Sequence, residues 1–500
     1  MDEQHIACAH DNRRLLDKVI GELNESGGPW QFRCHYYSDD EVIRNVLGKD
    51  FGMLCPRSAL SLQKLEEDWQ ERRGPTDYSI FADQVSFGLT PVVFFMSHRL
   101  ADDMDVLETP FGWRTLTDLI KKDKPIRIRH AAFSKTDGTA VSIAQQLVFQ
   151  HLNIEQDAES VAQSVRALER QVEEYGPTDD EVLHRAVGDG IWNADLVIAQ
   201  ERSIIAAAEQ IPNLIGTIVY PHDGALGIPN AAARIAEWRR PGIDEAFHEF
   251  SHRLSALTDQ ELHHNGLHAS AEELSSRGSI VEFAAAQSAP VRDQLRWAPH
   301  AGTTPLVLPA RRVVQGIRSM AAATKRGVDV CLLFDISGSM GEGNKLEEAS
   351  RGVEAFLQLL QGASSRACLI TFQSRANVVT SLSPNFRSGY PLRSLRADGG
   401  TALLDAVDLG VKTLERDGDQ DHIWAIVGFT DGIENASSTR EADVVQRLIS
   451  SSRIRFYGIA YGSDADFTIL AAMASASGGF VVRGDPGQIK AIYERLSTYV

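Results

Sequence analysis

The sequence has no apolar stretch approaching the ~20 residues that a membrane-spanning helix requires, so no membrane span is expected in it. Basic residues are in deficit: 50 Lys and Arg face 68 Asp and Glu, for a formal net charge of -18. Nucleic acid and anionic membrane surfaces select basic patches, so this balance argues against both as partners. It suits a bound cation or a basic protein instead. Cysteine is scarce. The five residues, at 8, 34, 55, 331 and 368, are scattered and never in C-x-x-C spacing. That excludes a disulfide framework and predicts free thiols in a reducing compartment. The opening MDEQHIACAH lacks a basic stretch leading into an apolar one, so no secretory signal is read and a cytoplasmic location is expected. Neither a G-x-S-x-G nucleophile elbow nor a phosphate-binding P-loop occurs.

What is present is a 500-residue α/β chain, long enough for two or three domains. From about 326 onward, β-branched runs alternate with amphipathic segments. The strands are predicted at 328–336, 367–372, 423–429, 454–460 and 479–482. Over 345–361 the apolar residues Leu346, Ala349, Val353, Phe356 and Leu360 fall on one helical face, and Leu403, Ala406, Val407 and Val411 repeat the pattern. Such alternation predicts a doubly wound, mostly parallel sheet, whose ligands bind beyond the carboxyl ends of the strands.

Three loops at those ends carry oxygen donors. FDISGSMGEG (334–343) supplies Asp335, Ser337 and Ser339. DGGTALLDAV (398–407) supplies Thr401, and VGFTDGIEN (427–435) supplies Asp431. Two carboxylates and three hydroxyls form a hard donor set, suited to Mg²⁺ or Mn²⁺ and poorly suited to zinc or copper. Few full charges would leave the metal electrophilic and able to recruit a partner's carboxylate. The competing reading is a Ser/Gly-rich turn with unrelated helix caps.

The pattern D-x-S-x-S, a Thr after Gly-Gly, then T-D-G resembles the von Willebrand factor A domain, over 327–500. The resemblance implies a Rossmann-like fold and a metal-ion-dependent adhesion site built from Asp335, Ser337, Ser339, Thr401 and Asp431. It also implies Mg²⁺ (or Mn²⁺ or Ca²⁺) and a protein partner presenting an acidic residue. AAA+ ATPase, stress or phage-defence assemblies of intracellular bacterial proteins are the implied setting.

Residues 1–300 also read as α/β. The PVVFF run (91–95), the W-x-x-L segment Trp113–Leu116, the loop SKTDGTAVSIA (134–144) and the Y-P-x-x-G turn Tyr220–Gly224 occur in an order that resembles the two-lobed type II solute-binding fold. A connecting segment is expected at 301–326. In the loop, Ser134, Thr136 and Thr139 offer hydroxyls and Gly138 permits close backbone approach. Free N–H groups at the following helix start would favour a small anionic ligand. Alternatively, Asp137 or Thr139 simply caps that helix. Arg57, Ser58, Gln200, Glu201 and Tyr220 are further candidates at strand ends. A transport-linked binding protein without its export signal is one alternative.

A rival motif is His248-Glu249-Phe250-Ser251-His252, an H-E-x-x-H match in which both histidines could reach a zinc and Glu249 act as base. Glu261, His264, His268, Glu272 and Glu273 are candidate third ligands. The same segment reads as a helix whose stripe Phe247, Phe250, Leu254 and Leu257 is core, and ELHHNGLHA (261–269) reads as a turn. The favoured expectation is a non-enzymatic, metal-dependent interaction module coupled to a ligand-sensing domain.

Overall fold

The computed structural model describes residues 2–499 apart from 49–50, 75–77, 123, 153–157, 189–190, 239, 361–363, 385–391, 463–464 and 485–488. Two units divide the chain: Met1–Val165 with Thr178–Ser319, and Arg166–Pro177 with Met320–Val500. Among the described residues, no helix is long and apolar enough to cross a membrane.

In the first unit, β1 (Asp2–Ala9) lies parallel to β2 (Trp30–Tyr37) on one side and β3 (Met53–Cys55) on the other. Side-chain alternation along β1 feeds two cores. Ile6 and Cys8 pack with Leu15, Leu16 and Val19, whereas Ala7 packs with Val42, Leu62 and Leu65. The PVVFF run belongs to β4 (Phe81–Met96), a strand of 16 residues. Its first part runs antiparallel to β7 (Ala225–Ile235), and its last five residues run antiparallel to β6 (Leu196–Gln200). β6 pairs in parallel with β5 (Ile128–Ala131). The carboxyl ends of β1, β3, β5 and β6 lead directly into Asp11, Arg57, the 134–139 loop and Glu201.

The second unit is the expected mostly parallel sheet. β8 (Val328–Asp335) sits between β9 (Arg366–Phe372) and β11 (Ile423–Thr430), and β12 (Ile454–Tyr461) and β13 (Phe480–Gly484) follow β11, all in parallel. One strand carries no clear signal in the sequence. β10 (Ala376–Ser383) is an antiparallel edge strand with no buried residue, so burial imposes no apolar alternation on it. The helix expected over 345–361 spans Lys345–Leu359, and Gln361 lies outside the described residues. Cys331 and Leu333 of β8 pack against Leu403, Val407 and Val411 of the helix Leu403–Asp417.

All eight residues of β8 are buried. Burying an aliphatic or aromatic side chain fully contributes ~1.5–3 kcal/mol. The apolar run therefore fixes where the strand ends, and Asp335 is carried into a buried position with it. The segment Arg166–Pro177 belongs to this unit and makes polar contacts with residues distant in sequence, which no sequence periodicity announces. Arg326 Nη1 donates to Val172 O at 2.7 Å and Tyr457 Oη to Glu174 Oε1 at 3.1 Å. The five cysteines are free, and all but Cys34 are buried.

Candidate metal centre

Asp335, at the end of β8, turns the chain through its own carboxylate. Oδ1 accepts from Ser337 N at 2.7 Å, and Oδ2 accepts from Thr430 Oγ1 at 2.6 Å. The first bond curls the loop so that Ser337 Oγ and Ser339 Oγ lie 3.1 Å apart. Ser339 Oγ donates to Asp431 Oδ1 at 2.6 Å, which ties the loop after β8 to the loop after β11. Burial pushes the Asp335 carboxyl up to about 6, helped by the neighbouring Asp431 carboxylate and opposed by the Thr430 and Ser337 hydrogen bonds.

The third loop is held by backbone contacts. Gly338 N donates to Gly399 O at 3.0 Å and Asp398 N to Ile336 O at 2.9 Å. Gly399 has φ +78°, in the left-handed region that favours glycine. Thr401 N donates to Asn435 Oδ1 at 2.9 Å, and Leu404 N to Glu434 Oε2 at 3.0 Å. Thr401 is buried and faces the same space as Ser339. A methyl group on Gly432 would stand 2.9 Å from Thr401 Oγ1 and 3.5 Å from Ser339 Oγ. All five residues expected at this rim are thus brought together.

The sequence reading did not single out Thr430, Lys345, Glu434 or Asn435 as site residues. Thr430, Glu434 and Asn435 stand in the same quoted loop as Asp431. Lys345 carries no such signal. Its Nζ lies 2.7 Å from Asp431 Oδ2, a contact between residues 86 positions apart. Burial pulls the Lys345 ammonium pKa down, but Asp431 and Glu342 outweigh it and the net shift is upward.

A family model for the von Willebrand factor type A domain matches residues 330–434. Those residues form a von Willebrand factor type A domain. Human inter-alpha-trypsin inhibitor heavy chain H6 is 26% identical over 190 residues, which cover 34% of this chain but only 14% of that protein. A solved von Willebrand factor type A protein from Catenulispora acidiphila is 20% identical, with a TM-score of 0.31, covering 34% of this chain and 42% of that one. Proximal thread matrix protein 1 from the mussel byssus, solved with zinc in its MIDAS motif, is 12% identical with a TM-score of 0.30, covering 45% of this chain and 63% of that one.

The first-unit candidates separate into distinct environments. Arg57 Nη1 donates to Asp137 Oδ2 at 2.9 Å, Nε lies 3.4 Å from Asp11 Oδ1, and Nη2 donates to Ser203 Oγ. Gln200 Nε2 donates to Asp137 Oδ1, also at 2.9 Å. Asp137 therefore spends its carboxylate on a long-range network rather than on capping its helix. Asp179 and Asp180 face the same guanidinium. Burial and the Asp137 charge push the Asp179 carboxyl well above the usual range. Arg57, a cation among the expected ligand-binding residues, is thus engaged by carboxyl groups of the chain itself.

Ser134 is exposed and Thr136 half-buried. Thr139 Oγ1 donates to Lys135 O at 2.9 Å and Phe133 O at 3.2 Å, so its hydroxyl is used locally. Gly138 is required by packing: a Cβ there would lie 2.1 Å from Ala132 O. Ser58 is buried, with its Oγ 3.3 Å from Ser61 Oγ. Tyr220 belongs to another buried network, donating to Glu201 Oε1 at 2.7 Å.

The zinc-protease geometry is not assembled. His248 and His252 lie exposed on the helix Ile243–Ser255, while Phe247, Phe250 and Leu254 are buried. Each candidate third ligand is elsewhere or engaged. Glu261 pairs with Arg253 at 2.7 Å and Lys18 at 3.0 Å, His264 contacts Gln260 O, and Glu272 is exposed. His268 and Glu273 contact each other. Among the described residues, no three His, Cys, Asp or Glu side chains form a metal-holding group.

Proposed function

We propose that this chain is a non-enzymatic binding protein whose A domain grips an acidic residue of a protein partner through a divalent metal. The observation that carries the reading is the convergence of two carboxylates and three hydroxyls on one buried rim, linked by the 2.6 Å Ser339–Asp431 bond. Asp335, Ser337, Ser339, Thr401 and Asp431 would hold the ion, and Gly432 leaves the space that a methyl group would fill. Their all-oxygen chemistry supports Mg²⁺ or Mn²⁺, with Ca²⁺ as the larger alternative. A bound metal would supply an electrophile for the partner's carboxylate. An AAA+ ATPase is one class of partner consistent with the A-domain reading.

The first unit is proposed as a sensing domain of the two-lobed solute-binding type. What supports this is the pair of long antiparallel strands, β4 and β7, linking parallel strands on either side. A reducing, cytoplasmic setting fits the free buried thiols.

Thermal-shift titration tests the metal reading. Mg²⁺ or Mn²⁺ is expected to raise the melting temperature of the wild type by several degrees at saturating metal, as a ligand that binds only the folded state must. Asp335→Ala is expected to lose that rise. A rise that persists unchanged in Asp335→Ala would place the metal elsewhere.

A further inference from the structure

Both oxygens of Asp431 are committed. Oδ1 accepts from Ser339 Oγ at 2.6 Å, and Oδ2 accepts from Lys345 Nζ at 2.7 Å. The same ammonium lies 3.4 Å from Ser339 O and 3.4 Å from Glu342 Oε2. The Asp431 side chain is fully buried, whereas that of Lys345 retains 26% exposure. The cation thus reaches into the rim from a stem that can swing back to water.

Local helix chemistry does not account for this lysine. It is the first residue of the helix Lys345–Leu359, where the helix dipole disfavours a cation, and the same turn carries Glu347 and Glu348 as expected. A lysine is also a better metal substitute than an arginine. Its ammonium is a compact point charge on a flexible chain, whereas a planar guanidinium matches a carboxylate through two bonds at once.

We propose that Lys345 is an internal competitor for the metal, with its ammonium neutralising Asp431 in place of a divalent ion and withdrawing when one binds. This rests on the reading of the rim as a metal site. A divalent ion beside Asp431 and an ammonium 2.7 Å from the same carboxylate would repel each other, so loading the site requires Lys345 to leave. The lysine therefore sets the metal affinity below what the five oxygen donors alone would give. Withdrawn, its charge stays near the rim, where it favours an acidic partner and resists a basic one.

The test is Mn²⁺ and Mg²⁺ titration by calorimetry on the full chain, comparing wild type, Lys345→Met, Lys345→Arg and Asp335→Ala. Lys345→Met is expected to bind Mn²⁺ about tenfold or more tighter than wild type, the scale on which a neighbouring opposite charge shifts the affinity of a carboxylate. Lys345→Arg should stay near or below wild type. Without metal, Lys345→Met should melt below wild type, and added Mn²⁺ should raise its melting temperature by more. If wild type and Lys345→Met bind Mn²⁺ equally while Asp335→Ala does not bind, Lys345 is no competitor although the metal reading stands. If neither wild type nor Lys345→Met binds either metal, the metal reading fails and the competitor role with it.

Discussion

Replacing Arg57 with alanine is expected to destabilise the first unit by about 3–5 kcal/mol, the usual penalty for removing one partner of a buried ion pair. The Arg57 side chain is 10% exposed and that of Asp137 only 4%. Without the guanidinium, Asp11, Asp137, Asp179 and Asp180 would face one another, with Arg202 still acting on Asp11. Carboxylates left so would gain folded-state pKa values above their unfolded ones. Stability from such groups is present at low pH and is lost as pH rises through the folded value, so the penalty should be smaller at pH 5 than at pH 8. Urea unfolding of the full chain at both pH values measures it. The double variant Arg57→Met with Asp137→Leu should cost less than the sum of the two single changes, because it removes the stranded charge as well. A loss for Arg57→Ala below about 1 kcal/mol at pH 8 would mean that water reaches these groups freely.

That network shows where sequence reading stops. The rim of oxygen donors was legible because its geometry is nearly one-dimensional. Each apolar run ends at a buried strand terminus, and Asp335, Ser337 and Ser339 are local to one of them. Thr401 and Asp431 stand on loops of the same sheet, on the side where parallel strands present ligands. The first-unit network has no such shortcut. Arg57 and Asp137 are 80 residues apart, and nothing in SKTDGTAVSIA distinguishes an aspartate that caps its helix from one that reaches across to an arginine. Gly138 illustrates the ambiguity in reverse: a glycine that could admit a ligand is occupied by the carbonyl of Ala132. The adjacent pair Gln200 and Glu201 is sharper still. Gln200 joins the Arg57 network through Asp137, and Glu201 joins the Tyr220 network. A strand followed by a helix start places them in different environments, which no residue count reveals.

The second network carries a pH dependence of opposite sign to that of the Arg57 variant's penalty. His268 is fully buried and stacked on Phe283, with ring centroids 3.9 Å apart. Its Nε2 faces Glu201 Oε2 at 2.8 Å and its Nδ1 faces Glu273 Oε2 at 3.2 Å. His263 Nε2 lies 3.1 Å from the same Glu273 oxygen, and Tyr220 and Trp297 donate to the other Glu201 oxygen at 2.7 and 2.8 Å. With a carboxylate at each ring nitrogen, the imidazolium is the form that satisfies both. Burial pulls the His268 pKa down, but Glu201 and Glu273 outweigh it and hold it above the ordinary value of 6.5. For Glu273, burial acts upward, yet the two histidines bring it down to about 2. A raised histidine contributes stability in full below its unfolded pKa and loses it as pH rises through the folded value. A depressed glutamate contributes above its unfolded pKa, about 4.5, and loses it as pH falls towards 2. The contribution of this network should therefore be fullest between about pH 4.5 and 6.5 and weaken on the alkaline side. His268→Ala is expected to cost about 3–5 kcal/mol at pH 6, because Glu201 stays buried without its cation. The gap between variant and wild type should narrow as the wild-type histidine loses its proton. Unfolding free energies of both proteins, followed from pH 5.5 to 9, decide the matter: a gap that does not change with pH would mean that His268 is neutral in the folded protein and that its role is packing alone.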